Sequence, residues 1–518
     1  MPDARRDPQA RGRRGIRALA VFATLAAATL LTACVGPATR NAPSMRSTPT
    51  GEHVSAALAP YYHQTLLWAP CGTDLQCTHA SVPLDWAHPA GAHISLALIR
   101  HPATGQSDGD LLVNPGGPGG SGVDFVRDSL ASAVDATVER HFTVIGFDPR
   151  GVGASTPVKC LPPSGLDHYL YGITPGTPGS ATWITASIKE ATTFADACRK
   201  NTGPLLAHVD TASAARDMDV LRAALGQKKL DYLGYSYGTY LGTVYAGLFP
   251  GKVGRFVLDG ALDPASTNFD VTLEQAKGFE RALTAYLTAC IGTKGCPFTS
   301  VTEGLGEVRR LLAQVTAHPL HSGGRALGAN TLVTAIIYPL YDANAWSLLN
   351  RLFTQVRRGD AAFAFTLADA YNERQSDGSY KDNSAEAFTA INCLDYHYDD
   401  NVAHMRAQAA RLEKAAPVIG RYLAYGDISC AVWPYRSTVH RGPIHAAGAA
   451  PIVVVGTTGD PATPYAWAKA LASQLDSGRL ITYRGQGHTA YNKSNACVDD
   501  AVDDYLTRGT LPRRGLTC

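Results

Sequence analysis

The chain is sparing with charge. Only 17% of its 518 residues are Asp, Glu, Lys or Arg, and 46 basic side chains stand against 44 acidic ones. Outside the first residues there is no extended basic field, so nucleic acid is not an expected partner. No internal repeat is visible, which argues against a stacked-repeat architecture. No Cys-x-x-Cys pair occurs, so the usual sign of a structural zinc site is missing. After one apolar run near the N-terminus, no second stretch is long enough to span a membrane. What remains is a globular composition: 45% hydrophobic residues, with 50 Gly and 31 Pro that suit a loop-rich enzyme better than a helical bundle. The length admits two to four ordinary domains, or one large domain with insertions.

The N-terminus reads as an export signal. Arg5, Arg6, Arg11, Arg13, Arg14 and Arg17 precede the apolar run Ala18 to Leu31, and Leu31-Thr32-Ala33-Cys34 follows. A basic segment, a short apolar core and small residues before a cleavage point fit a bacterial signal peptide over residues 1–33. A Cys placed directly after Leu-x-Ala resembles a lipoprotein box, which makes Cys34 the expected lipidated first residue of the mature chain. An uncleaved anchor, or ordinary cleavage with Cys34 as a bystander, is the alternative. Six Arg and two Asp leave with the signal, taking the formal charge from +2 to −2. Residues 34–58, rich in Ala, Ser, Thr and Pro, read as a flexible tether. The expected location is the outer face of the cell membrane, with the lipid at Cys34 as the contact.

Cysteine usage agrees with export. Of 11 Cys, ten remain once Cys34 is set aside, the even number that a disulfide framework needs. Spacing suggests sequential local pairs: Cys71–Cys77, Cys160–Cys198, Cys290–Cys296, Cys393–Cys430 and Cys497–Cys518. An oxidising compartment favours disulfides over a metal site.

Short apolar runs recur at Asp110–Asn114, Phe142–Phe147, Leu230–Gly234, Arg255–Asp259, Pro451–Gly456 and Arg479–Tyr483, after earlier strand signals at Thr78–Val82 and Ile94–Arg100. Near-continuous apolar strands separated by helical stretches, among them Ala212–Leu225 and Tyr240–Phe249, predict an α/β fold with a mostly parallel sheet covered on both faces. Between Leu262 and about His445 strand signals vanish and helical periodicity takes over, for example through Asp342–Arg358. The expected organisation is a core over 59–263 and 446–518, interrupted by a helical lid over 264–445. Such a lid would lie over the carboxyl ends of the strands, where open α/β sheets keep their sites.

Gly234-Tyr235-Ser236-Tyr237-Gly238 is a G-x-S-x-G motif. Chance alone supplies one in roughly one chain in four of this composition, so context carries the reading. The motif follows an apolar strand and opens a helix, as a nucleophile elbow must. Asp460 and His488 follow in the order Ser, Asp, His, each after a later strand. Ser236 is then the nucleophile, His488 the proton shuttle and Asp460 the group that fixes the imidazole. Asp263 is the rival acid, since it also follows a strand. Asn114-Pro-Gly-Gly-Pro-Gly-Gly-Ser-Gly122 stands where hydrolases build the oxyanion hole, and the Gly117 and Tyr237 N–H groups are the expected donors. No Lys-Ser/Thr follows those glycines, which argues against a phosphate loop. Asp148 and Arg150 are expected to order the loop beside the elbow. No cofactor and no metal are expected.

Together, Asn-Pro-Gly-Gly-Pro-Gly-Gly-Ser-Gly, Gly-Phe-Asp-Pro-Arg-Gly-x-Gly, Gly-Tyr-Ser-Tyr-Gly-Thr and Gly-Asp-Pro-x-Thr-Pro resemble the actinobacterial tripeptidyl aminopeptidases, relatives of proline iminopeptidase. The resemblance runs from about Tyr61 to Cys518, and the segment from about Trp433 resembles their TAP-like C-terminal region. It implies an α/β-hydrolase fold and release of short peptides, tripeptides above all, from free N-termini. Proline iminopeptidases carry His where this chain has Asn114. An envelope carboxylesterase or lipase with the same triad is the alternative, and a non-catalytic binding protein would need a missing triad member. An aminopeptidase must also bind an ammonium group; the acids of the insertion include Asp342, Asp395, Asp399 and Asp400, and for Asp395 an exposed acid on a helix is the alternative reading.

Overall fold

The computed structural model describes residues 45–518. The expected cleavage site and lipidated Cys34 lie outside the described residues. Among the described residues twelve strands form: β1 (Ala69–Gly72), β2 (Leu75–Pro83), β3 (His93–His101), β4 (Gly109–Asn114), β5 (Phe142–Phe147), β6 (Leu230–Tyr235), β7 (Val253–Asp259), β8 (Leu320–Ser322), β9 (Arg325–Leu327), β10 (Ile452–Gly459), β11 (Gly478–Gln486) and β12 (Leu516–Thr517). Ten make one sheet in the order β1-β2-β3-β5-β4-β6-β7-β10-β11-β12. β1, β2 and β3 pair antiparallel with their neighbours, and every pairing from β5 to β12 is parallel.

The apolar runs explain this arrangement. Alternate residues of one strand serve two cores: Leu112, Tyr232, Phe256 and Val454 face one side, Leu111, Leu233, Val257 and Val453 the other. A strand buried on both faces needs no polar alternation. The Thr211–Ala224 and Tyr237–Leu248 helices cover one side and Ala496–Arg508 the other.

Between β7 and β10 the chain is mainly helical, through Asn268–Cys290, Val301–Ala317, Ala329–Leu340, Ser347–Arg357, Ala362–Tyr371, Ser384–Asp395, Val402–Ala415 and Asp427–Ala431. It also holds the small antiparallel hairpin β8-β9, which the strand-free reading of this stretch did not anticipate. Its first five helices bury a core of their own around Leu283, Leu312, Ile336, Phe353 and Leu367. A second helical excursion joins it from between β5 and β6. It holds the Pro163–Tyr171 and Ala181–Thr202 helices, and the first of them carries Asp167, which the Arg374 guanidinium grips at 2.6 and 2.7 Å. The cover over the sheet therefore has two pieces in sequence.

The five disulfides pair sequentially as expected: Cys71–Cys77, Cys160–Cys198, Cys290–Cys296, Cys393–Cys430 and Cys497–Cys518. The expected tether is corrected over its described part. Arg46 bridges Leu67, the Thr50 N–H donates to Ala223 O at 2.9 Å, and Glu52 pairs with both Arg222 and Lys252. A carboxylate held by two cations keeps residues 46–52 on the core.

Candidate active site

Ser236 stands between the end of β6 and the start of the Tyr237–Leu248 helix, at φ 55° and ψ −123°. A non-glycine residue in that region is strained, by about 1–3 kcal/mol, and such strain gathers at functional sites. The flanking glycines make the turn possible. A Cβ on Gly234 would lie 2.5 Å from Gly238 O, and one on Gly238 would lie 2.7 Å from Asn114 Oδ1. Ser236 stays half-buried while its neighbours Tyr235 and Tyr237 are buried.

Asp460 ends the β10 segment on a tight turn and is 2% exposed. Its carboxylate oxygens lie 3.0 and 2.9 Å from His488 Nδ1. The remaining lone pairs accept from Ala462 N, Thr463 N, Thr463 Oγ1 and Thr489 N at 2.8 to 3.2 Å. A carboxylate held from so many sides fixes the orientation of the imidazole. The rival Asp263 points elsewhere: it accepts from Ala265 N at 2.9 Å and from Gln474 Nε2 at 2.8 Å.

His488 follows β11 and is gripped by the insertion. Its N–H donates to Tyr341 O at 2.7 Å, and the Tyr341 ring stands edge-on to the imidazole, centroids 5.4 Å apart. Gly487, at φ +103°, lets the turn pass beneath that carbonyl. Neither Tyr341 nor Thr463, whose hydroxyl lies 3.2 Å from His488 Nδ1, was named from sequence. The Thr of Gly-Asp-Pro-x-Thr-Pro was the available signal for Thr463; nothing near Tyr341 marks it.

The glycine loop lies against the elbow. A Cβ on Gly116 would meet Tyr235 O at 2.5 Å, Ser236 Cβ at 2.9 Å and Tyr237 N at 3.0 Å, so backbone touches backbone there. Gly117 follows directly, and among the described residues its N–H donates to no other group. Tyr237 opens its helix, where an N–H has no intrahelical acceptor. Among the described residues neither N–H has a hydrogen-bond acceptor. Asp148 accepts from Ser121 Oγ at 2.6 Å, Val123 N at 3.1 Å and Ala154 N at 2.7 Å, which orders the loop as expected. Among the described residues no cluster of three or more His, Cys, Asp or Glu is arranged to hold a metal ion.

This site has close counterparts by sequence. Residues 416–518 match the model of the TAP-like protein family. The serine protease Hip1 of Mycobacterium tuberculosis is 36% identical over 484 residues, covering 89% of this chain and 92% of that protein. Carboxylesterase B of the same organism is 39% identical over 456 residues, 86% of each chain. The tripeptidyl aminopeptidase of Streptomyces lividans is 34% identical over 469 residues, covering 87% and 86%. The chain belongs to the TAP-like serine hydrolases. It is an enzyme of the α/β-hydrolase fold, and the names of its relatives divide between peptide and ester substrates. That division leaves the reaction class common to all three, hydrolysis of an acyl bond, as the shared ground.

Proposed function

We propose that this hydrolase is an envelope exopeptidase that releases short peptides, chiefly tripeptides, from free N-termini. The observation that carries the reading is the Asp460–His488 pair at 2.9 Å, held on the strand ends beside the strained Ser236 elbow. Ser236 Oγ attacks the scissile carbonyl carbon while His488 Nε2 takes its proton. The tetrahedral oxyanion is met by the Gly117 and Tyr237 N–H groups. His488 returns the proton to the leaving amine, and water then releases the acyl group from Ser236 by the same steps in reverse.

Four acids of the insertion were candidates for the substrate ammonium, and their surroundings differ. Both Asp395 oxygens are occupied by Thr211, so Asp395 is withdrawn from that role. Asp399 pairs with His404, and Asp400 faces Arg436. Asp342 is exposed and next in sequence to Tyr341, whose carbonyl holds the His488 N–H, so it best suits an amine docked beside the site. A carboxylate at fixed distance from Ser236 limits how much peptide fits before the scissile bond.

Rates on tripeptide anilides with free and acetylated amines test the reading. Acetylation should lower kcat/KM about 10²-fold, the loss of roughly 3 kcal/mol of transition-state binding. Equal rates would favour the second reading, an envelope carboxylesterase, which the 39% identical relative of that name supports. The same proposal places the enzyme outside the cell membrane, anchored through lipid on Cys34.

A further inference from the structure

The Ser384–Asp395 helix of the insertion is fastened to the core at both ends. Asn383, just before it, accepts from Gly153 N at 2.8 Å and donates to Gly151 O and Val158 O at 2.8 Å. Glu386 accepts from Cys160 N at 2.8 Å and Leu161 N at 2.9 Å. Cys393 is disulfide-bonded to Cys430, which ties the helix to the Asp427–Ala431 helix of the same insertion. This helix does not behave as a loose flap.

Its two ends reach the two halves of the oxyanion site. At the N-terminal end, the helix backbone closes on the glycine loop: a Cβ on Gly119 would lie 2.7 Å from Ser384 O and 3.1 Å from Phe388 N. At the C-terminal end, Asp395 takes Thr211 N at 2.9 Å and Thr211 Oγ1 at 2.5 Å. The same Thr211 hydroxyl meets the Tyr237 hydroxyl in a short hydrogen bond. Asp395 and Thr211 are each 1% exposed and Tyr237 is 6% exposed. A carboxylate, a threonine and a tyrosine in a line, sealed from water, are costly to bury unless every member is satisfied. Here Asp395 accepts twice, so the Thr211 proton points to it, and the Tyr237 hydroxyl donates into the Thr211 oxygen. Nothing in the chemistry of acyl transfer consumes this line. What it fixes is the side chain of the residue immediately after Ser236.

We propose that Asp395 and Thr211 are positioning residues that, through the Tyr237 side chain, aim the Tyr237 N–H at the oxyanion, so that one helix of the insertion sets both donors of the hole. The inference rests on Ser236 being the nucleophile and on the Gly117 and Tyr237 donors. Positioning a donor matters only as charge develops, so its loss belongs in kcat and not in substrate binding.

The test is steady-state kinetics of full-length Tyr237→Phe, Thr211→Val and Thr211→Ser on a tripeptide anilide. A peptide aldehyde serves as a second probe, because its hemiacetal oxygen must occupy the hole. Tyr237→Phe and Thr211→Val should each lower kcat about 10- to 100-fold with KM within about twofold, below the full loss of one donor. Aldehyde affinity should weaken by the same factor as kcat. Thr211→Ser, which keeps the hydroxyl, should return kcat to within about threefold of the parent. The Thr211→Val/Tyr237→Phe double variant should be no worse than the poorer single one, because both cut one line. Tyr237→Phe removes a single oxygen and remains informative if Thr211→Val does not fold. Unchanged kcat in Tyr237→Phe, or a loss confined to KM, would overturn the proposal. Ser236→Ala separates the levels. If it is inactive and refuses a fluorophosphonate label while Tyr237→Phe is unimpaired, the positioning role alone falls; if Ser236→Ala still labels, the nucleophile assignment falls with it.

Discussion

Asp259 accepts a hydrogen bond from the Tyr491 N–H at 2.8 Å, three residues beyond His488. It also accepts from Ala490 N, while its own carbonyl accepts from Ser236 N at 2.9 Å. One buried residue at the end of β7 thus spaces the nucleophile elbow from the histidine loop. It is a different kind of acid from Asp460, which touches the imidazole itself.

The three acids on or just after the strand ends should rank accordingly. Asp460→Asn should cost on the order of 10⁴ in kcat, because it removes the group that fixes the imidazole tautomer. Asp259→Asn should cost about 10- to 100-fold, acting only through the spacing of two loops. Asp263→Asn, whose partners are Ala265 N and Gln474, should stay within a few-fold of the parent. Active-site titration of each purified variant separates kcat from the fraction folded. A larger loss at Asp263 than at Asp460 would move the acid to the earlier strand.

Burial lifts the Asp395 carboxyl to about 7. Asp503 is also raised to about 7, chiefly by burial and then by its neighbour Asp135, with Tyr491 donating to it at 2.7 Å. Both lie above the ordinary value near 3.9 of an unfolded chain. The folded state therefore holds more protons than the unfolded one between about pH 4 and 7. Their contribution is fully present below pH 4 and is lost as pH rises through 7, by a few kcal/mol at most. Asp128 and Glu307, lowered to about 2, act only below that window. Urea midpoints should thus rise as pH falls from 8 to 5, and Asp503→Asn should flatten the rise. A midpoint that falls steadily over the same range would contradict this.

Export supplies a prediction at the other end of the chain. If Cys34 carries the lipid, Cys34→Ala should move the enzyme from the membrane fraction to the soluble or culture fraction with kcat unchanged. Retention on membranes after that substitution would mean another anchor holds it.

The sheet and the candidate site at its strand ends were legible because each part sits at the end of an apolar run. Ser236, Asp460 and His488 all follow strands, and the spacing of glycines marks the elbow and its facing loop. The cover was legible only in outline. The Ala181–Thr202 helix buries Ile184 and Phe194 together with the small residues Ala191, Ala195 and Cys198, and those small residues weaken its hydrophobic period. The hairpin β8-β9 has three residues to a strand, too few to alternate visibly. The pairing of Asp395 was out of reach because its partner Thr211 is 184 positions away in the chain. Read from sequence, Asp395 is either an ammonium site or an ordinary exposed acid on a helix; only the fold shows that it is buried and that its oxygens are taken.

The loop beside the elbow offers the sharpest stability test. Arg150 is fully buried and grips Asp217, 1% exposed, with two bonds of 2.7 Å. Its remaining N–H groups donate to Pro83 O, Leu84 O and His208 O at 2.8 to 3.0 Å, so one guanidinium ties β2, the chain before the Thr211–Ala224 helix and the 148–155 loop together. Removing the cation strands the Asp217 carboxylate, with Trp86 Nε1 at 3.1 Å left as its one side-chain partner among the described residues. Breaking a buried pair from one side costs about 3–5 kcal/mol. Arg150→Met should therefore destabilise the protein by that amount. Lys should not rescue it, since a point charge cannot serve five acceptors in a plane. Replacing both partners, Arg150→Met with Asp217→Leu, should recover much of the loss, because no unpaired charge remains. Denaturant midpoints of the three variants decide it: a double variant weaker than Arg150→Met alone would mean that the carbonyl bonds, and not the stranded carboxylate, dominate.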